Sequence, residues 1–175
     1  MRPGFVVWLT GLPGSGKTTI ARALEPKLRE QELPVEIIDG DEIRQNLSKG
    51  LGFSREDRET HLRRCAYVAK LLSRNGVAVI AALISPYRNV RDYARKETTN
   101  FLEVYVKCPV ETCAKRDPKG LYKKASAGEI KDLTGPQDLY EEPLQPDLTV
   151  DTEKQNLQQC VDSILTKLQK LKLVN

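Results

Sequence analysis

Apolar residues in this chain gather in short unbroken runs, separated by stretches with helical spacing. Phe5-Val6-Val7-Trp8-Leu9, Val35-Glu36-Ile37-Ile38, Val77 to Ala82, Leu102 to Val106 and Leu148-Thr149-Val150 read as strands. The run from Val77 to Ala82 is apolar throughout, as expected of a central parallel strand covered on both faces. A helix is predicted from Lys17 toward Gln31, with Pro26 inside it to kink or end it locally. A short helix is expected over Glu42 to Leu47. Ser54-Arg55-Glu56-Asp57 has the form of a capping box. Behind it Leu62, Cys65, Ala66, Ala69 and Leu72 recur at helical spacing, and a stop is expected near Asn75-Gly76. Leu157, Val161, Ile164, Leu165, Leu168 and Leu171 mark a C-terminal amphipathic helix.

Strands alternating with helices predict an α/β fold, with a mostly parallel sheet and helices on both faces. The stretch from Asp117 to Asp147 is rich in Pro, Gly and Lys and long for a plain connection, so it reads as a lid. No repeat or low-complexity linker interrupts the pattern, and residues 1–175 are read as one domain.

Composition adds little until its distribution is considered. The 175 residues are 39% hydrophobic and 30% charged, an ordinary globular balance. No run approaches the length of a membrane span. Met1-Arg2-Pro3-Gly4 leads directly into the first strand, with no room for a signal peptide. The cysteines at 65, 108, 113 and 160 form no CxxC pair, and His61 is the single histidine, which argues against a zinc site. Reduced thiols and a cytoplasmic location follow as the default. The net charge is +4, and residues 115–131 alone hold six basic and two acidic side chains. That field favours an anionic ligand over the lid. A merely solvated helical face would give the same count.

The chemistry starts at Gly11-Leu12-Pro13-Gly14-Ser15-Gly16-Lys17-Thr18, which fits GxxxxGK[ST] without a mismatch. Glycines let backbone N–H groups turn toward phosphate oxygens, and the helix opening at Lys17 aims its positive end at them. Lys17 reaches the β- and γ-phosphates of ATP, the Thr18 hydroxyl ligates Mg²⁺, and Thr19 completes the nucleotide-binding run. No guanine-reading Asn-Lys-x-Asp stretch follows, and the chain is short for a mechanical ATPase. A small kinase with a basic, water-excluding lid remains. Asp39-Gly40-Asp41 closes the second strand, at the edge where open α/β sheets bind ligands. Its carboxylates would hold metal-bound water or take a proton from an attacking hydroxyl. Asp41 would serve equally as a helix cap.

Further blocks narrow the class. Asp39-Gly40-Asp41-Glu42-Ile43-Arg44, Leu51-Gly52-Phe53-Ser54-Arg55-Glu56-Asp57-Arg58, Ile84-Ser85-Pro86-Tyr87-Arg88 and Asp117-Pro118-Lys119-Gly120-Leu121-Tyr122-Lys123-Lys124 follow in order, extended by Gly128-Glu129-Ile130 and Thr134-Gly135. The chain thereby resembles the adenylyl-sulfate kinase family over nearly its whole length. The resemblance implies a three-layer P-loop kinase fold and transfer from ATP to the 3′-hydroxyl of adenosine 5′-phosphosulfate (APS). It also implies Mg²⁺, a homodimer, and a functional or covalent association with ATP sulfurylase. Nothing in it implies nucleic acid or membrane binding.

Carried to matching positions, it makes Lys17, Asp41 and Ser85 the catalytic candidates. Arg44, Phe53, Arg58, His61, Ile84, Lys119, Gly120, Leu121 and Leu133 join Asp41 and Ser85 around the acceptor. Arg44 and Arg58 carry planar forks suited to the phosphosulfate, and Phe53 an aromatic face for the substrate adenine. The family marks Ser85 as a phosphoserine intermediate. In-line transfer needs positioning rather than a covalent stop, which leaves Ser85 a substrate hydrogen bond or a strand-end cap. The adenine of ATP is expected near Arg116 and residues 151–155.

Three positions depart from the family. His61 replaces an asparagine and would gain charge beside an anion. Leu133 replaces a phenylalanine that completes an aromatic sandwich, so acceptor binding should weaken. Pro136-Gln137-Asp138-Leu139-Tyr140 replaces the usual lid stretch. Other nucleotide or sugar kinases, or an inactive ATP-binding module beside a sulfurylase, are the competing readings. A dead module would have lost Lys17, Thr18 or Asp41, and all three are present.

Overall fold

The structure, a computed structural model, describes residues 4–175. Met1-Arg2-Pro3, the lead-in judged too short for a leader, lies outside the described residues. Five parallel strands form one sheet in the order β2-β3-β1-β4-β5, with β1 Phe5–Thr10, β2 Val35–Asp39, β3 Ala78–Ala82, β4 Phe101–Lys107 and β5 Leu148–Asp151. The helices are α1 Lys17–Arg29, α2 Gly40–Asn46, α3 Arg55–Ser73, α4 Arg88–Glu97, α5 Val110–Arg116, α6 Leu121–Ser126 and α7 Leu157–Lys170.

Period-two alternation along β1 builds the layers. Phe5, Val7 and Leu9 point to one face, where Ile20, Leu24 and Leu28 of α1 and Val161, Ile164 and Leu168 of α7 cover them. Val6 and Trp8 point to the other, against Leu62, Cys65, Ala66 and Ala69 of α3 and Val90 and Ala94 of α4. The result is a three-layer α/β fold with a fully buried sheet interior. A third apolar cluster, Leu12, Cys108, Cys113, Tyr122, Ala125 and Leu133, ties the lid to the turn after β1.

Several expectations are corrected. Pro26 does not end α1, which runs on to Arg29 before closing at Glu30, short of Gln31. The Glu30 amide bonds the Pro26 carbonyl at 2.9 Å, so only the hydrogen bond that the proline nitrogen cannot donate is forgone. The Ser54 box is half formed: Ser54 accepts from the Asp57 amide, while Asp57 turns back to the Gly52 amide at 3.0 Å. The complete box lies instead at Asn156 and Gln159, opening α7. The lid is not wholly irregular, because α6 forms inside it. Its Tyr122 and Lys123 amides are capped by Asp117 at 3.1 and 3.0 Å.

Candidate active site

The site is built where parallel strands end. Gly11 turns the chain out of β1 so tightly that a Cβ there would lie 2.5 Å from the Val106 carbonyl. Gly16 takes a left-handed φ of 103° and leaves the start of α1 without a side-chain cap. The opening amides of α1 therefore remain available to an anion. Pro13, Gly14, Gly16, Lys17, Thr18 and Thr19 line the cavity, while Gly11, Leu12 and Ser15 shape the loop from behind.

Lys17 folds over this loop. Its ammonium donates to the Gly11 carbonyl at 2.8 Å and the Leu12 carbonyl at 2.7 Å. Burial, with the like charge of Lys119 adding to it, pushes Lys17 down to about 7. A phosphate would supply the counter-charge that carbonyls lack.

Opposite the loop, Asp39 caps α2 by accepting from the Asp41 amide at 2.9 Å. The cap is thus Asp39, and the Asp41 carboxylate stays free of that duty. It is exposed and ion-paired with Lys119 of the lid. Arg44 lies 4.6 Å from the centre of the Phe53 ring, and Phe53 is 60% exposed, so the ring keeps surface open to a ligand. Asp41, Arg44, Phe53, His61, Ile84, Ser85, Lys119, Leu121 and Leu133 line the same cavity as the phosphate loop, about 1110 Å³ in all. Gly120 does not: it has a left-handed φ of 66° and opens α6.

Other predicted residues sit differently from expectation. Arg58 is buried and its fork is already taken, by the Phe53 carbonyl at 2.7 Å, the Thr134 hydroxyl and the Asp132 carbonyl. Asp138 adds an ion pair at 3.5 Å. Arg58 thus fastens α3 to the lid. His61 is buried, with Nδ1 3.0 Å from the Ser48 hydroxyl. Burial, then Arg44 and Arg64, push it down to about 4. In the ligand-free chain, desolvation and two guanidinium groups thus outweigh Asp41 and favour the neutral imidazole. Leu133 packs in the lid cluster with Leu12 of the phosphate loop.

Ser85 is 1% exposed and has a strained left-handed φ of 41°. Its hydroxyl accepts from Trp8 Nε1 at 3.0 Å and donates to the Leu83 carbonyl at 3.4 Å. Both contacts hold the hydroxyl against the cavity wall.

Tyr122, Arg116 and Thr152 complete the frame. Tyr122 of α6 donates to the Pro13 carbonyl at 2.8 Å, joining the lid to the phosphate loop. Thr152 donates to the Ser15 carbonyl at 2.9 Å, and Arg116 grips Thr152 through its hydroxyl and carbonyl at 3.0 and 2.7 Å. Arg116, Thr152 and Gln155 line the cavity beside the loop, where the ATP adenine was expected. Thr152 follows β5 directly, at the strand-end edge where open α/β sheets bind ligands.

Metal chemistry fits the donors present. The Thr18 hydroxyl and the Asp39 and Asp41 carboxylates line the cavity, and no cluster of three or more His, Cys, Asp or Glu able to hold a metal occurs among the described residues. Mg²⁺ suits such a site, since it is usually held by substrate phosphates, water and one or two protein oxygens.

Residues 3–151 match the family model described as Adenylylsulphate kinase. The chain is 56% identical to the probable adenylyl-sulfate kinase of Pseudomonas aeruginosa over 165 residues, covering 94% of this chain and 77% of that one. It is 52% identical to a probable bifunctional SAT/APS kinase of Sorangium cellulosum over 96% of this chain and 29% of that longer protein. The solved APS kinase of Mycobacterium tuberculosis in complex with AMPPNP and APS has a TM-score of 0.93 and 39% identity, covering 97% of this chain and 99% of that one.

Proposed function

This chain belongs to the adenylylsulphate kinase family, and on that premise we propose that it phosphorylates the 3′-hydroxyl of APS with ATP. The products are 3′-phosphoadenosine 5′-phosphosulfate and ADP. The observation that carries this reading is one shared cavity, with the phosphate loop at one end and Asp41, Arg44 and Phe53 at the other.

The ATP phosphates rest on the loop amides and the start of α1, and Lys17 leaves its carbonyl partners for the β- and γ-phosphates. Arg116 and Thr152 flank the ATP adenine. APS stacks its adenine on Phe53, beside His61, Ile84 and Leu133. Arg44 faces the phosphosulfate, and Arg58 holds the lid that covers it. Asp41 orients the 3′-hydroxyl and receives its proton. The O3′–Pγ bond forms while the bond from Pγ to the β,γ-bridging oxygen breaks, and that oxygen leaves with ADP. The Thr18 hydroxyl would help hold Mg²⁺, which when bound would supply neutralisation of the charge on the transferred group. Lys119 exchanges Asp41 for an anionic group of the bound ligands as the lid settles.

We assign Ser85 to shaping the strand end rather than to a phosphoenzyme. A cytoplasmic location is supported by four free, buried thiols. No helix among the described residues is long and apolar enough to cross a membrane. The bifunctional relative supports association with a sulfurylase, and we include a homodimer in the reading.

A coupled assay tests it. ADP release from ATP should be stimulated by APS and not by AMP or gluconate. Absence of stimulation by APS overturns the reading. Asp41→Ala should lower kcat by roughly 10²–10⁴-fold while ATP still binds. Normal turnover in that variant would remove Asp41 from the mechanism.

A further inference from the structure

Arg91 is a charged side chain in the middle of the fold, only 2% exposed, and it carries none of the chemistry above. It projects from α4 and reaches three separate parts of the chain. Its Nε donates to Glu103 of β4 at 2.9 Å, one terminal nitrogen donates to the Ser85 carbonyl at 2.6 Å, and the other to the Glu141 carbonyl. Glu141 lies where the lid returns to the sheet. Its neighbour Tyr140 places its ring 5.8 Å from the Arg91 guanidinium. Thr10 donates to the Ile84 carbonyl at 2.8 Å, which leaves its oxygen to accept from the Tyr140 hydroxyl at 2.9 Å.

A planar fork with fixed donors is needed to satisfy two carbonyls and a carboxylate at once, and a lysine cannot reproduce it. The two carbonyls belong to different sides of the acceptor pocket. Ile84 and Ser85 line its wall, and the segment ending at Tyr140 and Glu141 carries Leu133 over it. The strained backbone of Ser85 persists only if its surroundings hold it, and Arg91 and Trp8 hold it together with Thr10, whose hydroxyl lies 3.3 Å from the Ser85 carbonyl. The donor loop meets this wall at the Gly11 amide, 3.4 Å from the Ile84 carbonyl, and has further ties of its own through Tyr122 and Thr152.

We propose that Arg91 is a positioning residue for the acceptor. It sets the Ile84–Ser85 wall and the foot of the lid in register, so that APS binding depends on it and ATP binding does not. The inference rests on the kinase reading given above.

Steady-state kinetics on Arg91→Lys tests it. The variant keeps a charge beside Glu103 but loses the fork. The KM for APS should rise at least about fivefold, with the KM for ATP within about twofold of wild type. Equal changes in both constants, or none, overturn the proposal, because general loosening would move both. Should Arg91→Lys not fold, Tyr140→Phe decides the same question without disturbing the buried charge. It should raise the KM for APS about threefold and spare ATP, and an unchanged or evenly changed pair of constants overturns the proposal. Wild-type protein is assayed alongside. If it does not turn over APS, the kinase reading fails, whereas an active wild type with unaltered variants sinks only the role of Arg91.

Discussion

At the scale of single residues, two titrating side chains define how the site meets its ligands. Lys17 is pushed down from 10.5 to about 7 by burial. Between those values the unfolded chain holds a proton that the ligand-free folded chain has released. Stability of the ligand-free protein should therefore rise with pH across that window. Phosphates restore the ammonium, so ATP binding at pH 8 should take up on the order of one proton. Calorimetry in buffers of different ionisation enthalpy measures the uptake, and a buffer-independent heat would overturn it. His61 gives the complementary acid limb. Its ordinary value of 6.5 falls to about 4 through burial and the nearby Arg44 and Arg64. Again the unfolded chain binds the extra proton, so stability is lost as pH falls from about 6.5 toward about 4. His61→Asn should flatten that limb in thermal melts. An unchanged acid limb in the variant would assign it to other groups. The sequence pointed to both residues, but not to these directions, which follow from burial that no spacing pattern reports.

At the scale of elements, legibility followed how fully an apolar pattern was expressed. The strands were readable because a parallel sheet covered on both faces needs unbroken apolar runs. Helix α4 shows no unbroken apolar stripe, because a charged residue occupies its core face. Val90, Arg91 and Ala94 are its buried positions, and Arg91 is satisfied there by Ser85, Glu103 and Glu141, all outside its own helix. Helices α5 and α6 were missed because they are too short to show a period. The cap of α6 comes from Asp117, whose role depends on the chain path after α5. The box opening α7 stands in plain form as Asn156-Leu157-Gln158-Gln159, ahead of the apolar stripe. Its Asn156 side chain accepts from the Gln159 amide at 2.9 Å, and the Gln159 side chain accepts from the Asn156 amide at 2.9 Å. Asn156→Ala should cost about 1 kcal/mol of stability. Denaturant titration reads this as a lower midpoint with an unchanged slope. A midpoint equal to wild type would mean that α7 is held by its packing against α1 and the sheet, with no contribution from the cap.

At the scale of the whole molecule, the two halves of the reaction share one chamber. The phosphate loop, Asp41 and Phe53 line a continuous cavity of about 1110 Å³, and the lid touches both ends of it. Tyr122 and Leu133 join the lid to the donor loop, while Lys119 reaches Asp41 and Arg58 holds Thr134 on the acceptor side. A phosphoryl group can pass directly between two ligands held this way, and in-line transfer needs only positioning and charge stabilisation. A covalent relay through Ser85 would require its hydroxyl to leave Trp8 and Leu83, turning a 1%-exposed side chain outward from a strained backbone. The molecule is therefore built for a ternary complex. Initial rates with ATP and APS varied together should give intersecting double-reciprocal lines. Incubation with γ-labelled ATP in the absence of APS should leave no label on the protein. Parallel lines, together with acid-stable label on Ser85, would establish a two-step relay and require the Ser85 segment to open during turnover.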